Sequence, residues 1–298
     1  MLIYDSAVQI LESVGFRVMA NVKIVTDSSA GLTEEEIEQH HINIVPLSVM
    51  IDGTVYVERE TITNEQFMEK MVAAKTLPKT SQPPLGKFVD LFDELGKDGS
   101  EVVCITMMAS ISGTVDAARQ AAQLSNTTVT IVDSQTTDRG LAFQVLAAAE
   151  AAENGATSEA IVAKTIEVRD HSRLFMGVIK LDNLVAGGRI SRAVGLVSNL
   201  LNIKIGLEVI DGKIEVTTKG RGMKTISKFL ETAYSEMQKA GHIVSVGISH
   251  AGAPETAEQI ADRVRELFPN VPIVVRQTVP IIATHAGQGA FALMYYTD

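Results

Sequence analysis

The sequence predicts an α/β protein of two domains, and three observations predict it. Short apolar runs that end in hydroxyl- or carboxyl-bearing turns alternate with helix-forming stretches about three times before residue 156. That alternation is the pattern of a parallel sheet with its loops gathered on one edge. Beyond Ala156 the order changes to strands, an Asp-Gly hairpin and longer helices, which predicts a second, mixed α/β domain. The 298 residues are 46% hydrophobic and 21% charged, enough apolar sequence for a sizeable core. The expected division is 21–156 for the N-terminal parallel α/β domain and 157–298 for the C-terminal mixed α/β domain, with 1–20 an extension outside the fold.

Met1 to Val18 has amphipathic spacing but no basic start, and Asp5 and Glu12 interrupt its apolar run. It is not a secretory signal, and an upstream start or added extension fits it. Val22 to Thr26 is a buried strand, and Asp27-Ser28-Ser29-Ala30-Gly31 is the turn at its carboxyl end. Asp27 and Ser28 there are ligand contacts or turn formers, the turn being the commoner role for their type. Thr33 caps a helix that opens with Glu34-Glu35-Glu36. Ile44–Ile51 and Thr54–Val57 flank Asp52-Gly53 as a hairpin. Thr63 to Glu65 starts a helix with Phe67, Met68 and Met71 on one side. Prolines 78, 83 and 84 then hold Thr80, Ser81 and Gln82 extended and leave their polar groups available. Gly86 to Leu95 is an amphipathic helix.

The stretch around which the chain is organised comes next. The strand beginning at Val102 breaks into Met107-Met108-Ala109-Ser110-Ile111-Ser112-Gly113-Thr114 and then into alanine-rich helical spacing. A strand, a tight turn and a helix N-terminus expose unpaired backbone N–H groups, to which Ser110, Ser112 and Thr114 add hydroxyls. No lysine or arginine lies in the turn, so it suits a singly charged carboxylate at least as well as a polyphosphate. On this stretch alone, a plain helix cap by Ser112 or Thr114 is the commoner role.

Val129–Val132 is a further buried strand, followed by the turn Asp133 to Thr137 and a helix over Leu141–Asn154. Ser158 caps a helix to about Arg173, and Leu174–Ile179 is a strand before Leu181-Asp182-Asn183-Leu184 and Gly187-Gly188-Arg189-Ile190. Ser191–Asn202 reads as an apolar helix, and Gly206–Ile210 with Lys213–Thr218 as a hairpin. Thr217 to Lys224 is a basic, glycine-loosened corner containing Arg221, either a solvated turn or a docking point for an anionic partner. A helix to about Lys239, a strand over Ile243–Ile248, a helix over Pro254–Phe268 and a strand over Ile273–Val275 lead to Pro280–Gly289, which carries Thr284 and His285. The chain ends in a strand over Ala290–Tyr296.

Composition and motifs exclude several functions. Acidic residues outnumber basic ones by 36 to 26 and the net charge is -10, with no long basic run, which argues against a nucleic-acid partner. The single cysteine, Cys104, lies in an apolar strand, so there is neither a disulfide framework nor a cysteine zinc site, as suits a cytoplasmic protein. No segment has the length and apolarity of a membrane span. The histidines are not spaced as metal ligands, and the dinucleotide and phosphate-loop motifs are missing, so no metal and no cofactor is expected. A triad of Ser112, His285 and Asp133 can be drawn on paper, but the G-x-S-x-G elbow is absent. A serine esterase or acyl hydrolase using Ser112 and His285 is the alternative function. What remains is a set of donors, Thr80, Ser81, Ser110, Ser112, Thr284, His285 and Arg189, in a strongly aliphatic chain. Such groups can hold a carboxylate while an apolar cavity takes an alkyl tail, each buried methylene contributing about 0.8 kcal/mol.

Val25-Thr26-Asp27-Ser28, Thr80-Ser81-Gln82-Pro83, Ser110-Ile111-Ser112-Gly113-Thr114, Val132-Asp133-Ser134, Leu181 to Leu184 with Gly187 to Ile190, and His285 before Gly287-x-Gly289 together resemble the DegV family. The similarity runs in order from Val22 to the C-terminus. It implies a DegV-like two-domain fold with a long-chain fatty acid between the domains and no catalysis by this chain. It implies that Thr80 and Ser112 bind the carboxylate, with Ser81, Thr284 and His285 close by and Arg189 in the supporting network. Some members are the acyl-carrying subunit of a bacterial fatty acid kinase in phospholipid metabolism. The resemblance therefore also implies a separate kinase catalytic subunit as partner, engaged by a surface containing Arg221.

Overall fold

The computed structural model describes residues 21–189 and 202–298. The 1–20 extension, Ile190 and the apolar helix expected from Ser191, as far as residue 201, lie outside the described residues.

The first layer is a four-stranded sheet in the order β2-β1-β6-β7. It comprises β1 (Val22–Asp27), β2 (Asn43–Val45), β6 (Glu101–Thr106) and β7 (Val129–Asp133), all parallel. Val25, Val102, Val103, Cys104 and Ile105 are wholly buried, as strands covered on both faces require. Burial raises the Cys104 thiol well above its ordinary value, so it behaves as a small hydrophobe. Helix α1 (Glu34–Gln39) opens with the expected capping box, in which Thr33 and Glu36 satisfy each other's backbone N–H groups. Thr63 and Gln66 repeat that device at α2 (Asn64–Ala73). Helix α3 (Leu85–Leu95) buries Phe88 and Phe92, and α4 (Thr114–Leu124) buries Val115, Ala117, Ala118 and Ala121.

The expected strand Ile44–Ile51 is divided. Its first part is β2, its second is β3 (Ser48–Ile51), and they belong to different sheets. Pro46 lies at the division, where it has no N–H to give to a ladder. The hairpin at Asp52-Gly53 is present, with both residues at positive φ (46° and 87°). It joins β3 to β4 (Thr54–Val57), and β5 (Lys79–Ser81) pairs on the other side to give the small antiparallel sheet β4-β3-β5. The proline-flanked segment is therefore extended as expected, and it is also a strand.

The other layer is a six-stranded mixed sheet in the order β10-β9-β8-β13-β11-β12. Its strands are β8 (Ser172–Val178), β9 (Ile203–Ile210), β10 (Lys213–Arg221), β11 (Ile243–His250), β12 (Ile273–Gln277) and β13 (Phe291–Thr297). Only β11 and β12 pair in parallel; the other neighbours are antiparallel. The corner expected over Thr217–Lys224 is mostly strand: β10 runs on to Arg221, through a register shift between Val216 and Thr218, before α8 (Met223–Lys239) begins. Helices α8 and α9 (Pro254–Leu267) cover one face, burying Phe229, Met237, Ile260 and Val264.

Helices α5 (Asp138–Glu153) and α6 (Ser158–Asp170) pack on each other and touch both large sheets. Helix α5 starts earlier than the expected Leu141, because the polar residues Asp138 and Arg139 are buried, each 3% exposed, and belong to it. Arg139 pairs with Glu36 (2.6 Å) and donates to the Gly31 carbonyl (3.1 Å). Its stem lies on Gly247 of β11, where any Cβ would stand 2.1 Å from it. Thr157, and not Ser158, caps α6, accepting from the Ala160 N–H.

Candidate functional site

A cavity of about 390 Å³ lies where the carboxyl edge of the parallel sheet meets the mixed sheet. Leu47, Met107 and Ile111 line it from loops that follow β2 and β6, and Leu174, Met176 and Ala292 line it from β8 and β13. Loops at the carboxyl ends of parallel strands are where open α/β sheets place ligands. The volume lies within the roughly 300–1,000 Å³ usual for small-molecule pockets. The wall is mostly apolar, with a polar cluster formed by Thr80, Ser81, Gln82, Ser112, Arg189 and His285.

The cluster draws on four separate parts of the chain. Strand β5 carries Thr80 and Ser81, and the loop before α4 carries Ser112. Helix α10 (Pro280–Ala286) carries His285, and Arg189 follows α7 (Asp182–Ala186). Thr80 Oγ1 and His285 Nε2 are 2.9 Å apart. Ser112 Oγ lies 2.8 Å from Thr114 Oγ1 and accepts weakly from the Thr114 N–H. The N-cap position of α4 is Gly113, which makes no side-chain cap bond, and the weak bond from the Thr114 N–H is the share Ser112 takes in the helix start. Arg189, also in the lining, donates to the Gly187 carbonyl (2.7 Å) and the Ile111 carbonyl (3.3 Å).

Burial lowers His285 to about 4, with the Arg189 charge adding to the effect, so the ring is neutral at physiological pH. Among the described residues its buried Nδ1 has no hydrogen-bond partner. The ring rests on Gly187, where a Cβ would lie 2.3 Å from Nδ1. We expect Gly187→Ala to push the imidazole off Thr80 and weaken ligand binding about tenfold, the loss of one net hydrogen bond. A binding isotherm against wild type checks this; equal affinity would contradict it.

The remaining sequence candidates are placed elsewhere. Ser110 is exposed and outside the cavity lining. Thr284 is buried and gives its hydroxyl to the Pro280 carbonyl (2.8 Å), within its own helix. Asp27 and Ser28 lie beneath the site as supports. Asp27 accepts from the Met107 N–H (2.7 Å) and the Ser29 N–H (2.9 Å), fixing the loop that lines the cavity. Ser28 bonds Glu58, and Glu58 accepts from the Ile281 N–H (2.6 Å) at the start of α10. Glu58 was not among the sequence candidates; one glutamate in a turn carries no distinguishing pattern. Burial pushes its carboxyl up to about 8, opposed by the bonds from Ser28 and Ile281 and reinforced by Asp27. Gln82 was also missed as a contact: its Oε1 packs against Gly113. Arg221 is exposed at the end of edge strand β10, away from the cavity lining.

The paper triad is not assembled. His285 bonds Thr80, Ser112 bonds Thr114, and Asp133 accepts from the Gln135 N–H (2.9 Å). Among the described residues no carboxylate orients the imidazole through Nδ1. Among the described residues no His, Cys, Asp and Glu cluster could hold a metal ion. No described helix is long and apolar enough to cross a membrane.

Fold and cavity together define an α/β protein of two large sheets and one small one that encloses a mostly apolar pocket with a polar cluster in its wall. The chain belongs to the DegV family: the family model described as "Uncharacterised protein, DegV family" matches residues 21–298. A DegV domain-containing protein of Streptococcus pneumoniae is 43% identical over 276 residues, covering 93% of this chain and 98% of the relative. Among solved structures, DegV of Bacillus subtilis, described as a fatty acid binding protein, is similar with a TM-score of 0.86 and 31% identity, over 93% of this chain and 100% of that one. A stearic acid-binding protein of Eubacterium ventriosum is similar with a TM-score of 0.83 and 26% identity, over 92% and 98%.

Proposed function

We propose that this protein binds a long-chain fatty acid, with its carboxylate at Thr80 and Ser112 and its alkyl chain along the apolar wall. The observation that carries this reading is a mostly apolar cavity with uncharged donors, Thr80 paired to His285 and Ser112 beside them, in its wall. Its fatty-acid-binding structural relatives support it. A dozen buried methylenes would contribute about 10 kcal/mol before the cost of association, so the tail supplies affinity and the donors set orientation. Ser81, His285 and Arg189 complete the head region. The 21–156 and 157–298 division belongs to the same reading, with the acid held between the two parts.

This chain presents the acid and performs no chemistry on it. A separate ATP-dependent kinase, working in the cytoplasm, transfers phosphate to it: a carboxylate oxygen attacks the terminal phosphorus, the bond to ADP breaks, and an acyl phosphate forms. The exposed basic residues Lys219, Arg221 and Lys224 provide a docking edge for that partner. The serine hydrolase reading requires Ser112 to be activated by His285, a pairing absent from the site's hydrogen bonds. A fluorophosphonate probe is therefore expected to leave the purified protein unlabelled, and a covalent adduct on Ser112 in the mass spectrum would contradict the reading.

A further inference from the structure

Away from the head region the cavity borders a second, larger space. The alternate residues Leu174 and Met176 of β8, and Leu207 and Val209 of β9, share the sheet face that lines the cavity. The two strands pair from Val178 opposite Ile205 as far as Phe175 opposite Glu208 and then part, although β8 begins at Ser172 and β9 runs on to Ile210 beside β10. Where they part lies a cleft of about 610 Å³, lined by Ser134, Gln135 and Thr136 after β7, by Ser172, and by Asp211 and Gly212 in the β9–β10 turn. Leu174, Glu208 and Val209 line both spaces. Glu208 alternates with Val209 and so belongs to the opposite face, where burial and the Glu208 charge raise Glu236 of α8. The boundary on the cavity face is therefore the aliphatic pair Leu174 and Val209. Leu174 is 7% exposed and packs with Phe143, Val168 and Met294, and the half-buried Val209 packs against the same cluster. Among the described residues lining the cleft, none belongs to the head cluster.

An alkyl chain gains from each methylene that leaves water for an apolar wall. Past Leu174 and Val209 that gain ends, because the cleft offers hydroxyls, an amide and a carboxylate, groups that lose by giving up water to a hydrocarbon. We propose that Leu174 and Val209 are the stop for the methyl end of the bound acid and set the longest chain the protein accepts. An acid that just reaches them gains from every carbon. A longer one must displace two packed side chains or push methylenes into the polar cleft, and either lowers affinity. The stop is steric, so its position follows the size of the two side chains. Cutting one back lends the chain part of the space behind it, and enlarging one shortens the room.

This inference rests on the fatty-acid reading, and one experiment separates their failures. Delipidated protein is titrated calorimetrically with straight saturated acids from decanoate to tetracosanoate. Wild-type affinity is expected to rise about fourfold with each added methylene, pass through a maximum and then fall. Val209→Ala and Leu174→Ala are expected to move the maximum to a longer acid, and Val209→Leu to a shorter one, while the shortest acids bind every form alike. Val209 is only half-buried, so its two replacements keep the comparison open should Leu174→Ala fail to fold. A maximum that moves in neither Val209 variant, a wild-type affinity that climbs through the whole series, or a loss that is equal at all chain lengths would overturn the stop alone. Failure of every acid to bind the wild type would overturn the fatty-acid reading and the stop with it.

Discussion

Replacing Thr80 and Ser112 together by alanine is expected to weaken fatty acid binding about a hundredfold while the fold persists. A hydrogen bond to a charged acceptor is worth about 1.5–3 kcal/mol, so each hydroxyl alone accounts for about ten- to a hundredfold in affinity. Two donors on one carboxylate act on a shared group, and their combined loss falls short of the product. The single replacements differ in their side effects. Thr80→Ala takes away the partner of a buried, neutral imidazole whose other nitrogen is already unpaired, so it also lowers stability by about 1–3 kcal/mol. Ser112→Ala leaves Thr114 its place in α4 and changes binding more cleanly. Thr80→Ser, which keeps the oxygen, is expected to recover most of both losses. Isothermal titration with stearate, read beside thermal melts of the same samples, checks the set; a double variant with wild-type affinity would remove the head assignment.

The second large effect is expected at Glu58, which touches no ligand. Its carboxyl joins Ser28, behind β1, to the first turn of α10, the helix that delivers His285. Glu58→Ala strands the Ile281 N–H and the Ser28 hydroxyl in the interior and is expected to cost about 2–5 kcal/mol of stability. The acidity of the group adds a pH signature. Its folded-state value of about 8 stands above the ordinary 4.5, so the folded chain holds the proton more tightly than the unfolded one. The corresponding stability is complete below about pH 4.5, declines as the pH rises through the folded value, and is gone above it. Burial raises Asp27 as well, so its contribution slopes the same way. Glu58→Gln, which retains an acceptor for Ile281 and has no proton to lose, is expected to flatten the Glu58 share of the decline. Denaturant midpoints between pH 5 and pH 9 test this, and an unchanged slope in Glu58→Gln would contradict it.

Much of the architecture is legible because local chemistry and tertiary role agree. Thr33 with Glu36 and Thr63 with Gln66 announce helix starts that occur there. Asp52-Gly53 and Asp211-Gly212 announce hairpins, and all four residues take the positive φ that such turns need. The departures come where a tertiary contact overrides the local pattern. Asp138 and Arg139 look like loop residues in sequence, but partners from Glu36 to Thr278 bury them at the head of α5. The strand expected across Pro46 divides because its two parts serve different sheets.

The same contrast holds at the site. Thr80, Ser112, Arg189 and His285 are recognisable from their motifs, and the fold brings all four to one cavity. Ser110 and Thr284 carry the same chemistry in the same stretches, but one faces solvent and the other bonds its own helix, differences of side-chain direction that residue type does not encode. Glu58 gains its meaning only from what surrounds it, so no spacing rule could have marked it.

The most direct test is to extract the protein, purified under native conditions from a lipid-replete host, into organic solvent and identify what is released by mass spectrometry. A long-chain fatty acid in about equal molar amount to the protein, lost from the Thr80 and Ser112 double variant, is the expected result. A phosphorylated sugar or a nucleotide in its place, or a wild-type extract devoid of acyl chains, would contradict it.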